Sequence, residues 1–233
     1  LDRPEPAGRL VEQLRLVKDE AEIAALRRAC EISVAALEGV LAGPLVGRTE
    51  REVARDLEWR MLELGAQDKA FDTILAAGEN TAIPHHEPTE RPLATGDLLK
   101  IDFGALVDGY HADCTRTVVL GKAQPWQVEI HAAVKQAQQV ALDRLRAGEL
   151  IADVFNAVTA SLDESGWLES FTTGLGHGVG LQIHEDPFLG TTHPGRLASR
   201  MVLTMEPGIY LPGSGGVRIE DTVLVTDPEH GGD

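Results

Sequence analysis

The sequence predicts an α+β fold made of two copies of one unit, each with two helices followed by strands. Three observations predict it. Helical and strand-like periodicities follow one another in the same order in both halves of the chain. Landmark residues recur at an offset of about 100 residues, as Val53 does with Val154 and Gly65 with Gly166. Acidic residues also interrupt apolar strands at equivalent places in the two halves.

Helical periodicity and end signals predict two helices in each half. The predicted helices cover residues 18–41, 49–64, 125–145 and 150–162. Thr49 and Glu52 form a capping box for the second helix, and Gly65 closes it. Gly43 and Pro44 end the first helix in the same way.

Strand-like segments follow each helical pair. They cover residues 71–78, 98–107 and 115–120 in the first half, and 171–184, 201–211 and 217–225 in the second. A repeat of this length is too long for a solenoid unit. We therefore expect a duplicated half, with the strands of the two copies meeting around a pseudo-two-fold axis.

Composition narrows the class of protein. The chain has 233 residues, of which 43% are apolar, so it can bury a substantial core. It contains no apolar run of about 18 residues, so no membrane-spanning helix is expected. A formal charge of −16 without a basic cluster argues against nucleic-acid binding. Cys30 and Cys114 are far apart, which predicts a reduced, cytoplasmic protein.

Four carboxylates occupy apolar strand segments, where burying an acid is costly. They are Asp102, Asp113, Glu206 and Glu220. Any single one could be a strand-edge residue that faces water or an arginine. Four carboxylates that converge repel one another strongly unless cations compensate them. The set therefore predicts two bound divalent cations.

His177 adds a nitrogen ligand to this set. It lies in the glycine-rich segment GLGHGVG, and His184 follows seven residues later. The alternative is an incidental histidine in a flexible loop. One imidazole with four carboxylates suits Mn²⁺, Co²⁺, Fe²⁺ or Zn²⁺ and argues against a structural zinc built on cysteine. Paired ions of this kind catalyse hydrolysis.

The segments IDFGA, GYHADCTRT, GLGHGVGLQIHEDP, TMEPGIY and VRIED resemble those of the pita-bread metallopeptidases. Within that group the chain is similar to Xaa-Pro aminopeptidases (aminopeptidase P) and Xaa-Pro dipeptidases (prolidases). The resemblance covers roughly residues 15–226 and implies two pseudo-two-fold-related halves, a curved antiparallel sheet and outer helices. It implies two metal ions, with Mn²⁺ favoured over Co²⁺, Zn²⁺ or Fe²⁺. The implied ligands are Asp102, Asp113, His177, Glu206 and Glu220.

The resemblance also implies roles in catalysis. Glu206 would accept a proton, His184 would contact the substrate carbonyl, and His85 would be the second substrate-facing histidine. His85 is preferred to its neighbour His86 because the internal repeat pairs it with His184. Arg218 would support the proline-selective site.

The implied function is removal of an N-terminal residue that precedes proline, from dipeptides or longer peptides. A methionine aminopeptidase-like enzyme is one alternative, although MEPGIY and VRIED favour the proline-directed branch. A non-catalytic pita-bread binding module is the other. Retention of all five ligand types argues against that second alternative.

The resemblance also divides the chain. Residues 1–17 are expected to be a connector from a missing N-terminal domain. Residues 18–233 are expected to be the catalytic domain, short of its usual C-terminal end. The expected partner is a peptide with proline at its second position, with no nucleic acid and no membrane. A homodimer is compatible with the sequence.

Overall fold

The structure is a computed structural model that describes residues 8–191 and 194–227. Residues 1–7 of the predicted connector and residues 228–233 of the predicted C-terminal end lie outside the described residues. Within the described ranges, every helix is too short or too polar to cross a membrane.

The four predicted helices form, and a short one precedes them. The helices are α1 (Leu10–Leu16), α2 (Glu20–Leu41), α3 (Glu50–Glu63), α4 (Pro125–Leu142) and α5 (Ile151–Glu164). The capping box predicted for α3 is present, since the Thr49 hydroxyl accepts from the Glu52 amide and the Glu52 carboxylate accepts from the Thr49 amide. Helix α1 lies in the predicted connector and buries none of its residues.

The strands form short antiparallel sheets. They are β1 (Asp68–Lys69), β2 (Ile74–Ala77), β3 (Leu98–Phe103), β4 (Ala105–Val107), β5 (Tyr110–His111), β6 (Cys114–Val119), β7 (His177–Gly178), β8 (Glu185–Phe188), β9 (Val202–Met205), β10 (Gly208–Leu211), β11 (Gly215–Arg218) and β12 (Asp221–Leu224). The sheet orders are β2-β3-β6, β12-β9-β7-β8, β1-β4-β5 and β10-β11.

The predicted duplication is visible in this topology. In the first half β3 pairs with β6, and the hairpin β4-β5 lies between them along the chain. In the second half β9 pairs with β12, and the hairpin β10-β11 lies between them. An isolated antiparallel bridge between Thr115 and Glu220 joins the two copies.

Each copy has a hydrophobic core of its own. The first core uses residues of the segment 29–120, among them Leu57, Leu99 and Phe103. The second uses Leu98 and residues of the segment 130–225. A small third cluster packs Leu26 of α2 against Val179 and Val202 of the second half. The Thr115–Glu220 bridge therefore lies where two separately packed halves meet.

The strand predicted over 171–184 is wrong for most of its length. Only His177 and Gly178 form a strand there, and the ladder shifts register between them. The glycines that surround His177 allow close backbone approach instead of a regular ladder. The segment thus brings His177 to the edge of β9 through an irregular path.

The capping box of α3 makes a local prediction about stability. Thr49→Ala removes the acceptor for the Glu52 amide, so we expect it to lower the free energy of unfolding by about 1 kcal/mol. Thr49→Ser keeps the hydroxyl and should stay close to the wild type. Urea denaturation of the two variants measures the difference. Equal stability of the alanine and serine variants would contradict the role of the cap.

Candidate metal centre

The five residues named from the sequence come from separate elements of both halves. Asp102 lies on β3 and His177 on β7. Asp113 immediately precedes β6, Glu206 immediately follows β9, and Glu220 lies between β11 and β12. All of these elements meet near the Thr115–Glu220 bridge, so the fold collects the five side chains at the junction between the halves.

Three of the five form a compact group. One ligand atom from each of Asp113, His177 and Glu220 lies within 4.8 Å of the others, and all three residues are buried. His177 Nε2 is 3.5 Å from Asp113 Oδ2 and 3.6 Å from Glu206 Oε1. The imidazole therefore faces two carboxylates.

The backbone fixes the orientation of His177. Its amide donates to the Thr204 hydroxyl over 3.1 Å, and Nδ1 lies 2.9 Å from the carbonyl oxygen of Gly178. A Cβ at Gly176 would lie 2.1 Å from the Thr204 carbonyl oxygen, and one at Gly178 would lie 2.0 Å from that of Asp186. These glycines are required because no larger residue fits between the segments. Because Nδ1 is bonded to a carbonyl oxygen, Nε2 points toward the carboxylates and is the nitrogen that can bind a metal.

The ionisation of the group reflects burial and repulsion. Burial, followed by the charges of Glu220 and Asp102, raises the pKa of Asp113 well above its usual range. Burial and the charge of Glu206 do the same to the pKa of Glu220. Burial also lowers the pKa of His177 to about 4, so its imidazole is neutral at pH 7. The group thus combines a neutral nitrogen with carboxylates that resist ionising together.

Asp102 pairs with Arg218, a guanidinium that is 1% exposed. Arg218 also donates to the Thr115 hydroxyl over 3.1 Å and to the Tyr210 hydroxyl over 2.8 Å. Thr115 in turn donates to Glu220 over 2.6 Å. Arg218 and Glu220 therefore share one side of β11 and its extension, as strand alternation predicts.

The site has the donors that a divalent cation needs. Asp102 Oδ1 is buried and has no hydrogen-bond partner among the described residues. Carboxylate oxygens and a neutral imidazole are hard or borderline ligands that suit divalent first-row metals. A cation would also relieve the repulsion that raises the pKa of Asp113 and Glu220. The chain's own residues therefore fit the group that the resemblance implies.

The structure separates the two neighbouring histidines, His85 and His86. His86 is buried, and its Nε2 lies 2.9 Å from Glu50 Oε2. The side chain of His85 is exposed. Its pKa is lowered by partial burial and then by the charge of Arg218, with Asp102 opposing. His85 thus lies within electrostatic reach of Arg218 and Asp102, whereas His86 is part of a different hydrogen-bond network.

His184 lies beside the candidate ligands. Its ring is edge-on to that of His177, with 4.4 Å between ring centroids, and its side chain is exposed. The next residue, Glu185, is buried and accepts from Lys18 Nζ over 2.7 Å and from Arg15. The segment before the first long helix therefore contacts the strand that follows His184.

Two charged residues near the site were missed by sequence reasoning. Lys100 is fully buried on β3, and its Nζ lies 5.1 Å from the centroid of the Tyr210 ring. Burial, then repulsion from Arg218, lowers the pKa of Lys100 to about 6. Glu50 is fully buried in the first turn of α3. The apolar segment LLKIDFG did signal that Lys100 is unusual, because a lysine in such a segment is rarely buried without a partner.

Glu50 holds the loop that carries the two histidines. Its carboxylate accepts from the Ala77 amide, the Asn80 amide group and both the amide and hydroxyl of Thr89, in addition to His86. Burial alone would raise the pKa of Glu50. The hydrogen bonds from Thr89, Asn80 and His86 outweigh burial, so the net pKa is lowered.

Comparison with known proteins identifies the family. The family model described as metallopeptidase family M24 matches residues 24–227. The chain belongs to metallopeptidase family M24, a family that implies divalent metal ions. The α+β pita-bread fold expected from the sequence is confirmed by this match and by the solved structures that follow.

Three relatives illustrate the similarity. The Xaa-Pro dipeptidase of Pyrococcus furiosus is 40% identical over 94% of this chain and 63% of its own length. A solved Xaa-Pro dipeptidase from Bacillus anthracis has a TM-score of 0.93 and 40% identity, covering 95% of this chain and 62% of that one. An X-Pro aminopeptidase from Thermotoga maritima has a TM-score of 0.91 and 39% identity, covering 93% and 61%. This chain therefore spans less than two thirds of the length of these relatives.

The Glu50 network predicts a pH dependence of stability. Because the folded pKa lies below the ordinary value of 4.5, the contribution of Glu50 is fully present above pH 4.5 and is lost as the pH falls through the folded pKa. Glu50→Gln lacks this contribution. The difference in the free energy of unfolding between wild type and Glu50→Gln, measured with urea, should therefore shrink on going from neutral pH to below 4.5.

A matched control is Glu31→Gln, since the Glu31 side chain is 58% exposed. Its difference from wild type should be small at every pH. A Glu50→Gln difference that does not change with pH would contradict the interpretation.

Proposed function

We propose that this chain is a metal-dependent peptidase that removes an N-terminal residue preceding proline. The observation that carries the proposal is the group of Asp113, His177 and Glu220, whose ligand atoms lie within 4.8 Å of one another. Asp102 and Glu206 border this group and complete the ligand set. The proline preference is supported by relatives named Xaa-Pro dipeptidase and by a structure named X-Pro aminopeptidase.

In this proposal the five residues hold two divalent cations. Mn²⁺ is favoured, with Co²⁺, Zn²⁺ or Fe²⁺ as alternatives. When bound, such ions polarise a peptide carbonyl and make water a stronger acid. The donor atoms are Asp102, Asp113, Glu206 and Glu220 oxygens and a His177 nitrogen.

Glu206 accepts a proton during the reaction. Burial raises the pKa of Glu206 to about 7, with Arg218 opposing, and bound cations would favour its ionised form, which can accept a proton. Its side chain is 18% exposed, which makes it more accessible than Asp113 or Glu220. An accessible, ionised carboxylate beside the attacking water is what a general base requires.

His85 and His184 contact the substrate from two sides. Both side chains are exposed beside buried site residues, so they can donate hydrogen bonds to a peptide carbonyl or to the oxyanion formed from it. Arg218 contacts Asp102, Thr115, Tyr210 and the carbonyl of Pro84. Through these contacts it fixes the positions of the groups that line the proline-binding side of the site. The substrate is a peptide with proline at its second position, and the proposal includes neither nucleic acid nor membrane as a partner.

A reducing, cytoplasmic location is part of the proposal. Both cysteines are free, and burial raises the pKa of Cys30 to about 11 and that of Cys114 above its usual range. Such thiols react slowly and do not need a partner cysteine. A homodimer is compatible with the proposal but is not required by the site.

Asp113→Ala tests the metal site. The substitution removes a buried ligand, so we expect the metal content per chain to fall and cleavage of Ala-Pro to drop by at least about a hundredfold. Metal analysis after dialysis and a peptide cleavage assay measure both effects. Asp72→Ala is the control, because the Asp72 side chain is 98% exposed. Unchanged metal content together with unchanged cleavage would contradict the assigned ligands.

Substrate choice tests the proline preference. Proline lacks an N–H and has a fixed φ, so a site shaped for it should favour Ala-Pro over Ala-Ala by about 10- to 100-fold in kcat/KM. Ala-Pro and Ala-Pro-Ala, each with Mn²⁺, Co²⁺ and Zn²⁺, distinguish a dipeptidase from an aminopeptidase. A preference for Met-Ala-Ser would instead favour the methionine aminopeptidase alternative. Metal binding without cleavage of any of these peptides would favour the binding module.

A further inference from the structure

The segment that carries His85 is held by buried charged groups on both sides. It begins with a 3₁₀ turn at Gly78–Ala82 and continues through Ile83, Pro84 and His85. Lys100 reaches it from β3, and Glu50 reaches it from α3 through Asn80. Neither residue is a member of the candidate ligand set.

Lys100 contacts the backbone of this segment at three points. Its Nζ donates to the carbonyl oxygens of Ile83 at 2.7 Å, Thr81 at 3.1 Å and Pro84 at 3.2 Å. The Pro84 carbonyl belongs to the peptide bond that leads into His85. It also accepts from Arg218 over 3.2 Å. The plane of that peptide is therefore fixed by two side chains immediately before the histidine.

The residue after His85 is fixed independently. His86 is hydrogen-bonded to Glu50, which also binds Asn80 and Thr89. The backbone is thus held on either side of His85, while the imidazole of His85 itself is exposed. Such an arrangement leaves the side chain free to contact a ligand and limits the movement of its Cα.

Burying a lysine completely is costly, and an apolar residue would fill the same space in the strand without that cost. The three hydrogen bonds that Nζ makes offset this cost, together with its contact with the Tyr210 ring, and all three acceptors lie in the His85 segment. The protonated amine can donate to all three carbonyls and the neutral amine to two of them, so part of this contact persists in either protonation state.

We propose that Lys100 is a positioning residue for His85 and sets the location of that imidazole over the metal centre. This inference rests on the proposed function, in which His85 contacts the substrate. In this role Lys100 acts through the carbonyl groups of Thr81, Ile83 and Pro84 and not through contact with the substrate. Replacement of Lys100 should therefore loosen one segment and impair catalysis only through His85.

The first test needs no activity. Lys100→Met keeps the side-chain length and removes the donor, so amide hydrogen exchange at Ile83, His85 and His86 should become about tenfold faster or more in the metal-free protein. Lys100→Gln restores one donor and should give an intermediate rate. Lys69→Met is the matched control, because Lys69 pairs with Glu58 and Asp72 away from this segment. Unchanged exchange in both Lys100 variants would overturn the proposal.

The second test is a double-mutant cycle on Ala-Pro cleavage in the metal-loaded protein. Lys100→Met should lower kcat by about 10- to 100-fold with a small change in KM, the scale expected for a misplaced group. In a His85→Ala background the same substitution should change kcat by less than about twofold, because its effect passes through His85. Metal content should be unchanged in every variant.

The outcomes separate the two proposals. Additive effects of Lys100→Met and His85→Ala would mean that Lys100 acts elsewhere, for example through Asp102, and would overturn the positioning role. If the wild-type chain cleaves no Xaa-Pro peptide, the proposed function fails. The exchange experiment then still decides whether Lys100 holds the segment.

Discussion

Repulsion among buried carboxylates is the constraint on which the rest of this structure depends. Asp102, Asp113 and Glu220 are each less than 10% exposed, and Glu206 lies beside them. Arg218 contributes a single positive charge to this group and is already bonded to Asp102. Four carboxylates cannot all ionise there without further compensation. Ionising all four carboxylates would therefore destabilise the fold when no cation is bound. The same repulsion favours the binding of cations, as a metal centre requires.

This group lies at the junction between the halves, so both complete halves are needed to assemble it. Each half has a separate core, and the halves exchange backbone hydrogen bonds at Thr115 and Glu220. Asp102 and Asp113 come from the first copy, and Glu206 and Glu220 come from the second. Neither core alone brings four acids together. The packing of the two cores offsets the repulsion between the carboxylates at their boundary. The geometry of the candidate ligands therefore depends on core residues far from the site.

Sequence reasoning identified the fold and the candidate ligands because the signals for them are local. An acid within an apolar strand is costly wherever that strand lies, so Asp102 and Glu220 stood out without a structure. The Thr49 capping box depends on two residues three positions apart. Glu50 gave no such signal, since acids in the first turn of a helix are usually exposed and favoured there by the helix dipole. Its burial depends on a loop about 30–40 residues away in the chain, which only the folded structure reveals.

The two histidines proposed to face the substrate correspond in the internal repeat but are supported by unrelated residues. His85 is held through Lys100, Arg218 and Glu50, all inside the segment that matches the family model. His184 is followed by Glu185, whose partners Arg15 and Lys18 precede that segment. The two histidine segments are therefore held by different supporting contacts. Arg15 of the predicted connector and Lys18 directly after it therefore fix the strand that begins after His184.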